Sequence, residues 1–121
     1  MSAHILVVDV DPDIRALIVQ LLRLEGFEVA TAANGQAALD HIAVQEPQLV
    51  LLDLQMPLMS GWEVLAQLRQ ARPAVPVVFM SAGYRAEVEA KRHGADGYLA
   101  KPFELDAVLA LIARYTVPPP R

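Results

Sequence analysis

The 121-residue sequence predicts an α/β fold: five parallel strands in one sheet with helices on both faces, a doubly wound (βα)5 arrangement. Three observations carry this. Five short apolar runs are spaced along the chain. Three of them are nearly continuous Val, Ile, Leu and Phe, as in strands covered on both faces. Amphipathic helical patterns separate the runs, so the order strand–helix recurs five times and calls for right-handed parallel crossovers.

Taken in order, the strands are "HILVV" (4–8), "EVATA" (28–32), "QLVLL" (48–52), "PVVFM" (76–80) and "GYLA" (97–100). The first helix places Ile14, Leu17, Ile18, Leu21 and Leu22 on one face, with Gly26 as its stop. Asn34 caps a second helix that turns Ala38, Leu39, Ile42 and Ala43 inward, and Pro47 lies beyond its end. "SGWE" (60–63) has the form of a capping box. It opens a third helix with Val64, Leu65 and Leu68 inward, closed by Pro73. "RAEVEAKRH" (85–93) is a fourth helix before Gly94, and its thin apolar stripe marks it as the loosest. "ELDAVLALIARY" (104–115) is the fifth, with Leu105, Val108, Leu109 and Ile112 on one side. Residues 1–116 read as one domain, and "VPPPR" (117–121) as a Pro-rich tail or the start of a linker.

The totals limit the function classes. The composition is 55% hydrophobic and 20% charged, which is that of a folded domain. A net charge of −4 argues against a nucleic-acid surface, which would be basic. The chain has no Cys, so it has no disulfide framework and no thiolate metal site; this fits a reducing, cytoplasmic setting. No apolar run is long enough to span a bilayer, and the N-terminus lacks the pattern of a signal peptide.

In a parallel sheet all strands end at one edge, and ligands bind there, where the strand order reverses. The residues that leave the apolar runs are therefore neighbours: Asp9 after the first, Asp53 after the third, Ser81 after the fourth and Lys101 after the fifth. Alone, each is a cap, a turn residue or a solvated charge. Together they suit phosphoryl transfer to a carboxylate, in which an Asp oxygen attacks phosphorus. An anionic donor nearing two carboxylates is repelled by about 4 kcal/mol per pair at ~4 Å and an effective dielectric of ~20. Lys101 is one cation that offsets this, and a hard divalent ion, Mg²⁺, is the second.

At "LLDLQMPLMSGWEVL" (51–65), "VVFMSAG" (77–83) and "GADGYLAKPF" (94–103) the sequence resembles the CheY-like receiver domain of bacterial response regulators, over residues 4–115. The resemblance implies a strand order of 2-1-3-4-5. It implies Asp53 as phosphoacceptor and Asp9 as the first acid of a metal-binding pair. The backbone carbonyl of Gln55 would be a further Mg²⁺ ligand. Ser81 would bond the phosphoryl group, Lys101 would pair with it, and Tyr98 would be the aromatic switch. Lys101–Pro102 would be a cis peptide bond. Met56 and Pro57 would shape the loop after Asp53. Implied partners are a sensor histidine kinase or histidine phosphotransfer protein and a downstream protein or output domain, met through the fourth helix, fifth strand and fifth helix. Tyr84, Arg85, Glu89, Tyr98 and Glu104 are the contact candidates there. The resemblance implies a signalling domain rather than an enzyme, with no direct nucleic-acid or membrane contact, as a monomer or weak homodimer.

One position departs from the pattern. "ILVVDVDPD" (5–13) carries Val10 where the family has its second acid, the direct Mg²⁺ ligand. Valine supplies no oxygen, so weakened Mg²⁺ binding is expected. Asp11 is the alternative donor. Its expected role, however, is the N-cap ahead of Pro12 at the first helical position. Val10 thus motivates a second reading, a degenerate receiver that docks a partner regardless of phosphate. A phosphatase of the haloacid-dehalogenase type would need a second Asp where Gln55 stands, and no Gly-rich nucleotide loop or nucleophile elbow is present. His4, His41 and His93 show no ligand spacing and read as packing residues, as does Trp62.

Overall fold

The computed structural model describes residues 4–82 and 84–116. Ten elements alternate: β1 (His4–Val8), α1 (Pro12–Leu24), β2 (Glu28–Ala32), α2 (Gly35–Val44), β3 (Leu49–Asp53), α3 (Gly61–Ala71), β4 (Val77–Ala82), α4 (Arg85–His93), β5 (Gly97–Lys101) and α5 (Leu105–Tyr115). The strands form one parallel sheet in the order β2-β1-β3-β4-β5. The tail expected at 117–121 lies outside the described residues.

Strand side chains alternate between two cores. Leu6, Val8, Val50, Leu52, Val77 and Phe79 face α2, α3 and α4, meeting Ala38, Ile42, Val64, Leu65, Leu68 and Ala90. Ile5, Val7, Leu49, Leu51, Val78, Met80 and Leu99 face Ile18 and Leu22 of α1 and Val108 and Ile112 of α5. The central strand β3 is buried at all five positions, whereas the edge strands β2 and β5 keep exposed residues. That is why "EVATA" and "GYLA" read as less apolar.

The helix starts follow from their caps. Asp11 accepts from the Asp13 amide at 2.8 Å, and Asn34 from the Ala37 amide at 2.8 Å. Ser60 and Glu63 close the capping box from both sides, at 3.4 and 3.3 Å. Gly94 ends α4 at φ 78°, a left-handed conformation that glycine adopts without a steric cost.

Several expectations need correction. Leu17 was placed inward, yet it is 51% exposed. The buried stripe of α1 is Ile18 and Leu22, and a residue one position away is rotated by about 100°. Ala43 and Leu105 are exposed as well. Ala43 stands one position past buried Ile42, and Leu105 is the first residue of α5, ahead of its packed face. The strand ends also differ: β3, β4 and β5 run on through Asp53, Ser81 and Lys101. The ladder bonds backbone groups and is indifferent to side-chain polarity, so Asp53 pairs with Met80 and Ser81 with Ala100.

The segment between β3 and α3 is tightly folded. The Gly61 amide donates to the Leu54 carbonyl at 3.0 Å. A Cβ at Gly61 would lie 2.7 Å from the Asp53 carbonyl oxygen and 2.9 Å from Leu54 Cα, both backbone. Leu58, at the exposed tip, has φ 70°, where a branched side chain is strained. Gly61→Ala is therefore expected to destabilise the fold by about 1–3 kcal/mol in urea titration. Leu58→Asn is expected to stabilise it by about 0.5–1 kcal/mol, because Asn tolerates the left-handed region. Equal midpoints for Leu58→Asn and the parent would show that the loop relaxes without strain.

Candidate functional site

Asp9 is the first residue past β1 and is wholly buried, and Asp53 ends the neighbouring strand β3 at 6% exposure. Each carboxylate is oriented by the backbone amide two residues on. Asp11 N–H donates to Asp9 Oδ1 at 2.9 Å, and Gln55 N–H donates to Asp53 Oδ1 at 3.3 Å. These are Asx turns, which an Asp at a strand end forms readily. The Asp9 amide donates to the Ala32 carbonyl at 3.2 Å, tying the turn to β2.

Lys101, the last residue of β5, brings its ammonium between the two acids. Nζ is 2.6 Å from Asp9 Oδ2 and 3.7 Å from Asp53 Oδ1. The lysine side chain is 20% exposed and that of Asp53 8%, so the cluster lies at the rim and is open to water on one side. Ser81, buried at 5%, stands on β4 between β3 and β5. The Lys101–Pro102 peptide is cis. All four residues named from the strand ends thus come from one edge of the sheet.

Burial raises the Asp53 pKa, and the Asp9 carboxylate raises it further; the Lys101 ammonium and the Gln55 amide act in the opposite sense without cancelling the rise. The Asp53 carboxylate is thus less acidic and more basic than an ordinary Asp.

Val10 is 44% exposed and presents only methyl groups beside the acids. The Asp11 carboxylate is engaged as the α1 cap. Among the described residues no three His, Cys, Asp or Glu side chains lie close enough to hold one ion. The side-chain oxygens brought to this edge are therefore the carboxylates of Asp9 and Asp53 and the hydroxyl of Ser81.

Tyr98 lies at the surface, 42% exposed, on β5 beside α4. Lys91, bonded to Glu87 at 2.8 Å, holds the Glu87 carboxyl below its usual range, with a smaller contribution from the Tyr98 hydroxyl. The tyrosine thus stands partly exposed at the surface.

Two participants escaped sequence reasoning. Arg15 donates from Nη1 to the Asp9 carbonyl at 2.6 Å and to the Val10 carbonyl at 3.3 Å, fixing the turn that carries Asp9. Its only signal is an arginine one turn after an N-cap. The second is Gly61, whose missing side chain lets α3 begin against the Asp53 backbone.

The family model for the response regulator receiver domain matches residues 5–113. The chain is 41% identical over 113 residues to the transcriptional regulatory protein PrrA of Mycobacterium tuberculosis, covering 92% of this chain and 48% of PrrA. It is 35% identical over 117 residues to sporulation initiation phosphotransferase F of Bacillus subtilis, covering 95% of this chain and 94% of that protein. Among solved structures it superimposes on the receiver domain of NtrX from Brucella abortus with a TM-score of 0.85 at 36% identity, covering 92% of this chain and 96% of that one. The chain spans about half the length of PrrA and nearly all of the sporulation phosphotransferase. An acid pair bridged by one lysine at the C-terminal edge of a 2-1-3-4-5 sheet, and these matches together, show that the chain belongs to the response regulator receiver domain family of two-component systems.

Proposed function

We propose that Asp53 accepts a phosphoryl group, donated by the phosphohistidine of a sensor kinase or phosphotransfer protein, and that the acylphosphate resets the surface made by α4, β5 and α5. The observation that supports this most is Lys101 Nζ, held within 3.7 Å of Asp53 and 2.6 Å of Asp9. Asp53 Oδ attacks phosphorus, and the phosphorus–nitrogen bond of the donor breaks with its electron pair leaving on the imidazole. The Lys101 ammonium offsets the charge brought in by the phosphoryl oxygens. The raised pKa of Asp53 goes with greater basicity at the attacking oxygen. Ser81, on the strand beside Asp53, donates its hydroxyl to a phosphoryl oxygen.

The donor set fits a largely hydrated Mg²⁺, which keeps several waters and takes one or two carboxylates. Asp9, Asp53 and the Gln55 carbonyl would hold it, with water in place of a side-chain oxygen at Val10. Bound there, the ion supplies a second positive charge at the phosphoryl oxygens. Recruiting Asp11 would release the α1 cap, at a cost of about 1 kcal/mol.

Ser81 and Tyr98 form the proposed switch. Tyr98 stands outward beside Glu87, and movement of Ser81 toward phosphate opens room for the ring to turn in. A downstream protein or output domain reads the change at Tyr84, Arg85, Glu89, Tyr98 and Glu104. Val10 supports a second reading, a receiver that docks its partner without phosphate.

Incubation with a small-molecule phosphodonor and Mg²⁺ is expected to add the mass of one phosphoryl group to the intact protein, and Asp53→Asn to abolish the adduct. No adduct at saturating Mg²⁺ would favour the phosphate-independent reading. Val10→Asp is expected to raise Mg²⁺ affinity about tenfold, equivalent to about 1.4 kcal/mol; unchanged affinity by calorimetry would remove Val10 as the cause of weak binding. Because the folded-state pKa of Asp53 is raised, its ionisation destabilises the fold. That penalty is absent below the unfolded Asp pKa and grows as pH rises through the folded value. Asp53→Asn is therefore expected to be more stable than the parent at pH 7, with the difference vanishing at about pH 3. A gap that widens on acidification would contradict this sign.

A further inference from the structure

The edge of the sheet opposite Asp53 brings two imidazoles together. His4 opens β1, and His41 lies in the last turn of α2. Their Nε2 atoms are 3.0 Å apart, with ring centroids at 5.2 Å and planes inclined by 40°. In the free protein one ring donates this bond and the other accepts, so the pair holds a single proton between two nitrogens. Burial and the neighbouring His41 hold the His4 pKa down, while Glu28, its register partner on β2, acts less strongly in the opposite sense. Both backbones are pinned. The His4 carbonyl accepts from Gln48 at 2.8 Å, and the His41 carbonyl from Gln45 at 2.9 Å.

We infer that His4 and His41 form a two-nitrogen site for a divalent ion of tetragonal preference, Ni²⁺ or Cu²⁺. Imidazole nitrogens bind such ions at about 2.0–2.1 Å. Two donors at that distance and 3.0 Å apart subtend roughly 90–95° at the ion, which is a cis pair of an octahedron or square plane. A tetrahedral Zn²⁺ would spread the same nitrogens to about 3.3 Å. The ion takes the Nε2 lone pair of each ring; the donor ring shifts its proton from Nε2 to Nδ1 through water, so both ligands are neutral imidazoles and no proton is released overall. Water fills the other positions, because no third His, Cys, Asp or Glu among the described residues completes the set. A groove lined by Phe27, Glu28 and Gln45 reaches His4. Arg23, also in its wall, is turned to the Val29 carbonyl at 3.5 Å. Just beyond the end of α2 that carries His41, Arg72 pairs with Glu46 at 3.5 Å. The donors sit on a strand and a helix rather than on loops, so their backbones stay in place while each ring turns to aim its lone pair off the N···N line at the ion. His93 offers an internal control, since it stacks on Trp62 at 5.4 Å and bonds Glu89 at 3.0 Å.

The test is a titration of the full chain with NiCl₂ at pH 7.5, followed by NMR of the histidine rings. Paramagnetic broadening is expected at His4 and His41 before His93, with a saturable rise in Tm of a few degrees. His4→Gln and His41→Gln are each expected to remove the rise, and lowering the pH to 5.5 to weaken binding about tenfold or more, since both nitrogens must be unprotonated. Equal broadening of all three histidines would overturn the assignment. So would broadening at Asp9 and Asp53 that leaves the two imidazoles sharp, because the ion would then sit at the other edge. Failure here leaves phosphorylation of Asp53 untouched, since the two sites share no residue.

Discussion

One ammonium between two carboxylates organises this molecule. A parallel sheet brings the ends of β1 and β3 side by side, and here both ends carry buried acids. Two such charges repel by about 4 kcal/mol at ~4 Å and an effective dielectric of ~20. Lys101 offsets part of that penalty from the far side of β4. A lysine suits the task better than an arginine, because its charge is compact and its stem flexible enough to reach past an intervening strand. The residual imbalance falls on Asp53, which keeps a raised pKa, whereas the shorter contact goes to Asp9.

The sheet also separates the two ends of the domain by chemistry. Its C-terminal edge collects carboxylates, a hydroxyl and an ammonium; its N-terminal edge collects imidazoles. Nothing in the hydrophobic layers distinguishes the ends, since the same alternating side chains fill both cores. The distinction lies in which residues the chain places at or just past the strand ends and, for His41, in the last turn of α2.

Much of this was legible in the linear chain, and the reasons are local. Runs such as "QLVLL" declare strands because both faces are covered, and caps such as Asn34 and Ser60 declare helix starts because their partners lie within three residues. Asp9, Asp53, Ser81 and Lys101 were readable as a group because a parallel topology sends every strand end to one edge. The strand ends were misplaced because an apolar run stops at a polar residue and a hydrogen-bonded ladder does not. The His4–His41 contact joins residues 37 positions apart, and no periodicity encodes it. Leu17 failed for a finer reason: with 3.6 residues per turn, a stripe centred on Ile18 and Leu22 leaves its neighbour outside.

The fourth helix was singled out for its thin apolar stripe, and what it buries is two alanines, Ala86 and Ala90. A methyl has no rotamers to rearrange and no shape that locks it into one notch. Beside α5, which seats Val108 and Ile112, this contact resembles a smooth bearing more than a keyed joint. The helix nearest Tyr98 thus meets the sheet through its smallest side chains.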